Sequence, residues 1–266
     1  MSHRYSKDVL PGGLRVVTVE APHLHTALLA AYVRVGSRHE TKANNGVSHY
    51  LEHMFFRGSA RYRDTVKMNA LVEDVGGNLN GITTRDHGYY YTPIHPDGLA
   101  VGLDVLGDML TRPRLSHLEV ERRVILEEML DEVDDKGRDI EIDNLTKRKL
   151  FGRHPLGLKI AGTFDSVRSL KKRDLVEHLE RAYVTGNLVI CAAGKVRRDE
   201  VVERAARAFK GLPRGEALTE AAPRASPEGP WFEFVDHDES QTEFRLTFSA
   251  VPEQHPDYAA LQLIRR

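Results

Sequence analysis

Apolar and polar residues alternate in two stretches near the start of the chain, LRVVTVE and TALLAAYVRVG, separated by a turn around Pro22. Period-two alternation rich in Val, Leu and Ala predicts two β-strands. The period then lengthens. NNGVSHYLEHMF spaces its apolar residues as a helix does, with a start expected at Asn44 or Asn45. DTVKMNALVEDVGG predicts a second helix, closed by Gly76 and Gly77. NLNGITTRDHGYYYTPIH returns to strand character, rich in Thr, Ile and Tyr. Residues 97–112 and 116–135 are again helical in period, with Pro113 as the break between them. Further helices are expected over 140–150, in SLKKRDLVEHLERAYV and in RDEVVERAARAFKGL, with strand NLVICAAGKV between the last two.

After Leu212 the pattern breaks down. Residues 213–230 are rich in Pro, Ala, Gly and Glu and read as a linker. Residues 231–266 then repeat the opening plan: strand WFEFVDH, a polar turn, strand TEFRLTFSAV and an amphipathic helix at Tyr258. The expected organisation is a first α+β domain over 1–212 and the beginning of a second, related one over 231–266. A copy that stops inside its first helix cannot enclose a core by itself. The chain is therefore expected to be a fragment, or to rely on a dimer or a partner chain for the second half.

Charge and cysteine usage narrow the classes. The formal net charge is −1, so nothing argues electrostatically for nucleic acid or an anionic membrane surface. The single cysteine, Cys191, lies in an apolar run, reads as a strand core residue and has no partner for an internal disulfide. MSHRYSKDVLPGG lacks the apolar core of a signal peptide, and no run reaches membrane-spanning length. A soluble, cytoplasmic protein is expected.

The chemistry centres on HYLEH. Side chains at i and i+4 of a helix stand one above the other, so His49 and His53 can face one ion. Zinc takes imidazole readily, and catalytic zinc uses three protein ligands with one position open. Glu52 lies on the same side of the helix and is placed to act as general base toward a water. The order HxxEH is the inverse of HExxH. For a third ligand, 118–135 offers Glu121, Val124, Ile125, Glu128 and Glu132 as one helical stripe, with carboxylates on a partly apolar face that calls for a partner. Glu127 points about 100° away from Glu128. Glu128 is the expected ligand, and Glu121, seven positions earlier, is placed to orient a histidine or the water. Two plainer readings stay open on these residues: an ordinary helix carrying two imidazoles, and a metal-free pairing of Glu128 with Arg122 or a lysine.

Taken together, VRVGSRHE, NNGVSHYLEHMFFRGSARY, RRVILEEMLDEVDD, GRHPLGLKIAGTFDSV and LERAYVTGNLVICAAGKV resemble the pitrilysin-type zinc peptidases, which include the mitochondrial processing peptidases. The resemblance runs from about residue 8 to the end and implies an α+β fold of antiparallel sheet backed by helices, in two homologous halves. It implies zinc on His49, His53 and Glu128, the family's further glutamate at Glu121, and hydrolysis of unfolded peptides or oligopeptides. It also implies that an extended peptide pairs with an edge strand over Asn80, Gly81, Ile82 and Thr83. Gly81 stands where the family more often has Ala. The family's glycine-rich loop and Arg/Tyr pair from the second half have no counterpart in these 266 residues. A non-catalytic partner subunit is the rival reading, although this chain keeps Glu52 and every ligand.

Overall fold

The computed structural model describes residues 3–220, 222–223, 230–236 and 241–264. Its strands are β1 (Arg4–Val9), β2 (Arg15–Glu20), β3 (Ala27–Val33), β4 (Asn80–Thr83), β5 (Gly88–Ile94) and β6 (Leu188–Gly194). They form one sheet in the order β1-β2-β6-β3-β5-β4. The α+β expectation holds, with one difference: β2 and β6 run parallel, while the other neighbours are antiparallel. β6 arrives after a long crossover through the helices and inserts between β2 and β3, and only such a crossover permits a parallel pair.

The helices are α1 (Val47–Phe55), α2 (Thr65–Glu73), α3 (Leu99–Thr111), α4 (Leu118–Glu128), α5 (Ile142–Phe151), α6 (Phe164–Ser169), α7 (Lys172–Ala182), α8 (Arg198–Ala208) and α9 (Tyr258–Ile264). Of these, α1, α3 and α8 pack directly on one face of the sheet. α3 lies on β3 and β5, α8 lies on β2 and α3, and α1 touches α4, α7 and the edge strand β4. Strand alternation explains the asymmetry, since Leu29, Ala31, Tyr90, Ile94, Leu188, Ile190 and Ala192 all point into the helical layer and are buried. The opposite face carries an aromatic row in which Tyr32 stacks on Tyr89 at 5.2 Å and Tyr89 on Tyr91 at 5.8 Å. Among the described residues no helix is long and apolar enough to cross a membrane.

Residues 213–220 run against the sheet end of this unit. Thr185 and Gly186 donate backbone hydrogen bonds to Pro213 and Gly215, and Glu220 pairs with Arg34 and Arg38 at 2.8 Å each. Residues 221 and 224–229 of the expected linker lie outside the described residues. The strands expected at 231–237 and 242–251 are absent among the residues described there, whereas the helix at Tyr258 forms. Phe232, Phe234, Phe244, Leu246 and Phe248 keep the alternating pattern but are all largely exposed. Two such strands need a third strand or a helix to cover their apolar face before they are stable.

Candidate metal centre

α1 is built to be immovable on one side and chemically available on the other. Val47, Tyr50, Leu51, Met54 and Phe55 are completely buried, each worth roughly 1.5–3 kcal/mol on removal from water. Their i, i+3, i+4 spacing turns His49, Glu52 and His53 to the other side, where all three are half-buried. The helix starts later than expected, at Val47 behind Gly46. Gly46 has φ +93°, and a Cβ there would stand 2.5 Å from the Ala161 carbonyl oxygen, so the position takes glycine. Glycine brings no capping side chain. Glu40 supplies the cap from upstream, accepting hydrogen bonds from the Gly46 and Ser48 amides at 2.7 and 2.8 Å and from Asn45 Nδ2 at 2.9 Å. Burial pushes the Glu40 carboxyl upward, and these hydrogen bonds oppose that shift.

α4 crosses α1 and delivers the carboxylates. His49 Nε2 and His53 Nε2 are 3.3 Å apart. Glu128 Oε2 lies 3.3 Å from His53 Nε2 and 4.0 Å from His49 Nε2. A tetrahedral zinc with arms of about 2.0–2.1 Å has donor-to-donor edges of about 3.3–3.4 Å, so the donor types suit the metal and two of the three edges match it, the His49–Glu128 edge being longer at 4.0 Å. It is the one group of potential metal ligands that converges in this way among the described residues. Burial, reinforced by His53, holds the His49 imidazole down to about 3, which favours the neutral form that a metal site requires. Glu121 sits behind His53 with Oε2 3.4 Å from Nδ1, and Arg57 forms a close ion pair with the same carboxylate. That is the carboxylate–histidine arrangement that orients a metal ligand.

Glu52 stands beside this cluster. Burial raises its carboxyl above the ordinary range, and a short hydrogen bond from the Thr83 hydroxyl, followed by the His53 charge, acts in the opposite direction. Thr83 belongs to β4, the edge strand, so the residues expected to meet a peptide split by face. Asn80 and Ile82 share the face of Tyr91 and Tyr89, while Gly81 and Thr83 point toward α1. Asn80 Nδ2 is bonded to the Asn78 carbonyl, Ile82 is exposed, and a methyl on Gly81 would meet the Phe56 ring at 2.8 Å.

Sequence reasoning missed Glu40, Arg57 and the Thr83–Glu52 bond. Arg57 lies just beyond the end of α1 and meets Glu121 on α4, a pairing of distant segments with no local signal in the sequence. The alternative partner of Glu128 is occupied elsewhere: Arg122 bonds Glu119 and the carbonyls of Val167, Arg168 and Leu170. Glu132 leaves the stripe, because the chain tightens into a 3-10 turn over Met129–Glu132 and its carboxylate bonds Asn144 and Lys159. Of the other histidines, His178 is a buried packing residue, its Nε2 2.9 Å from Ser48 Oγ.

Comparison with known proteins agrees with this geometry. The profile described as insulinase (peptidase family M16) matches residues 15–164, and the one described as peptidase M16 inactive domain matches 169–266. A probable mitochondrial-processing peptidase subunit beta of Arabidopsis thaliana is 33% identical over 261 residues, covering 96% of this chain and 49% of that protein. An uncharacterised zinc protease of Streptomyces coelicolor is 35% identical over 223 residues, covering 82% of this chain and 48% of its own length. The chain thus spans about half the length of these relatives. Among solved structures, a protease from Helicobacter pylori shares the fold with a TM-score of 0.75 at 21% identity, covering 85% of this chain and 55% of that one. Pitrilysin does so with a TM-score of 0.73 at 23% identity, covering 85% and 24%. With more than half of its length matched by the first profile and the HxxEH helix inside that match, this chain belongs to peptidase family M16.

Proposed function

We propose that this chain is the zinc-bearing part of a metalloendopeptidase that hydrolyses unfolded peptides or oligopeptides. The observation that carries the reading is the convergence of His49, His53 and Glu128 beside Glu52. When bound, zinc supplies a Lewis acid for the scissile carbonyl and acidifies the attacking water. The protein groups do the rest. Glu52 Oε2 is held by Thr83, leaving Oε1 to accept the proton of the attacking water and pass it to the leaving amine. Glu121 and Arg57 keep the His53 ring turned toward the ion. The outer edge of β4 offers backbone groups to an extended peptide, which gives affinity with little sequence demand. The first unit over 1–212 carries this chemistry, and a second, related half beginning near 231, in the same protein or in a partner chain, completes the chamber.

The reading is tested by measuring zinc per chain and cleavage of a quenched peptide, for wild type and Glu52→Gln, in this chain alone and together with a second half. The expected result is equal zinc in both proteins, with cleavage lost by several orders of magnitude in the variant. Equal cleavage rates would remove Glu52 from the chemistry. Absence of zinc from both would remove the metalloenzyme reading altogether.

A further inference from the structure

The two imidazoles of the centre are fixed by different means. His53 has a ring partner, Glu121, through Nδ1. His49 Nδ1 is buried and has no hydrogen-bond partner. The His49 ring touches His53 but has no carboxylate behind it among the described residues, so its placement leans on the backbone of α1, and the residue before it, Ser48, is where Glu40 attaches. Glu40 is 3% exposed. Its Oε2 takes Asn45 Nδ2 and the Gly46 amide while its Oε1 takes the Ser48 amide, so one carboxylate ties the loop entering α1 to the first turn of the helix. Asn45 Nδ2 and the Gly46 and Ser48 amides all donate to this carboxylate, the Ser48 side chain adds to them, and these hydrogen bonds oppose the cost of its burial. The same loop is pinned from the other side, because Asn45 Nδ2 also donates to the Lys159 carbonyl at 2.8 Å and Ala161 leaves no room for a side chain at Gly46.

We propose that Glu40 is a positioning residue of the metal centre: by clamping the first turn of α1 through three N–H groups it sets the register of His49, as Glu121 sets the ring of His53. The proposal rests on the zinc reading above. It predicts that zinc affinity depends on a carboxylate that touches neither the metal, the water nor the peptide.

The test is the zinc dissociation constant of the 266-residue chain, measured by competition with a chromophoric chelator, alongside amide hydrogen exchange. Glu40→Ala is expected to weaken zinc by about 10–100-fold and to speed exchange at Gly46 and Ser48 ahead of the rest of α1. Glu40→Gln keeps one acceptor oxygen, remains able to fold, and is expected to fall between Ala and wild type. Val201→Ala, a cavity in α8 away from the centre, is the control that lowers stability and leaves zinc affinity unchanged. Wild-type affinity in folded Glu40→Gln and Glu40→Ala would overturn the proposal, as would an equal loss in Val201→Ala. A wild-type chain that binds no zinc overturns the metal reading itself, a different result from a wild type that binds while the variants match it.

Discussion

The two carboxylates of α4 that face α1 sit seven residues apart on one stripe and end in opposite environments. The Glu121 side chain is 3% exposed and is engaged by both His53 and Arg57. The Glu128 side chain is 49% exposed, and it lies within 4.0 Å of both imidazoles. A buried carboxylate with a guanidinium partner is part of the scaffold and is satisfied without any metal. A half-exposed carboxylate aimed at two imidazoles leaves three donors converging with a place for a cation between them. On the zinc reading proposed above, that difference separates the group that would bind from the group that would orient, on a helix whose sequence offers two similar glutamates.

This comparison breaks if the two residues behave alike on substitution. Glu128→Gln is expected to weaken zinc by more than the ~10–100-fold typical of a residue behind a ligand, while metal-free stability stays within about 0.5 kcal/mol of wild type. Chelator competition and urea unfolding read the two quantities. Glu121→Gln is expected to give the reverse profile. Zinc affinity falls by about 10–100-fold, and the metal-free chain loses about 1–3 kcal/mol because Arg57 is left without its counter-charge. A Glu121 variant of unchanged metal-free stability would make that residue a second ligand rather than a support.

A smaller effect extends the contrast to the far side of α1, where His178 meets Ser48. Burial, with Arg181 and His39 adding to it, holds the His178 imidazole down to about 3, against about 6.5 in an unfolded chain. The unfolded state therefore binds the proton better. The stability that comes from keeping His178 neutral is fully present above about pH 6.5 and is lost as pH falls toward 3. Between those limits the slope contributed by one such group is at most about 1.4 kcal/mol per pH unit. Urea unfolding from pH 7 to pH 5 is expected to show a shallower pH dependence in His178→Gln than in wild type. Parallel curves would mean that His178 is protonated in the folded protein.

The part of this centre that could be read from the sequence is the part written in local periodicity. His49, Glu52 and His53 share one turn, and the 3.6-residue period of α4 separates Glu128 from Glu127 and puts Glu121 on the same face. What could not be read depends on distant chain segments. Glu40 caps α1 from six residues before Gly46, outside the positions where a cap is sought. The parallel register of β2 with β6 joins segments far apart in the chain and leaves no mark in either. β1 was missed because Arg4–Val9 is an edge strand with exposed alternate positions, so its sequence lacks a buried face. The strands expected in 231–251 teach the same point in reverse. Their alternation matches that of β2 and β3, yet alternation becomes a strand only where other elements cover the apolar side.

The most direct measurement is the zinc K-edge absorption spectrum of the metal-loaded chain. It should show a shell of nitrogen and oxygen donors at about 2.0–2.1 Å, with imidazole scattering from two histidines that survives Glu128→Gln and is reduced in His49→Ala. A sulfur donor from Cys191, or a shell left unchanged by loss of His49, would contradict the assignment of His49, His53 and Glu128 as the metal centre.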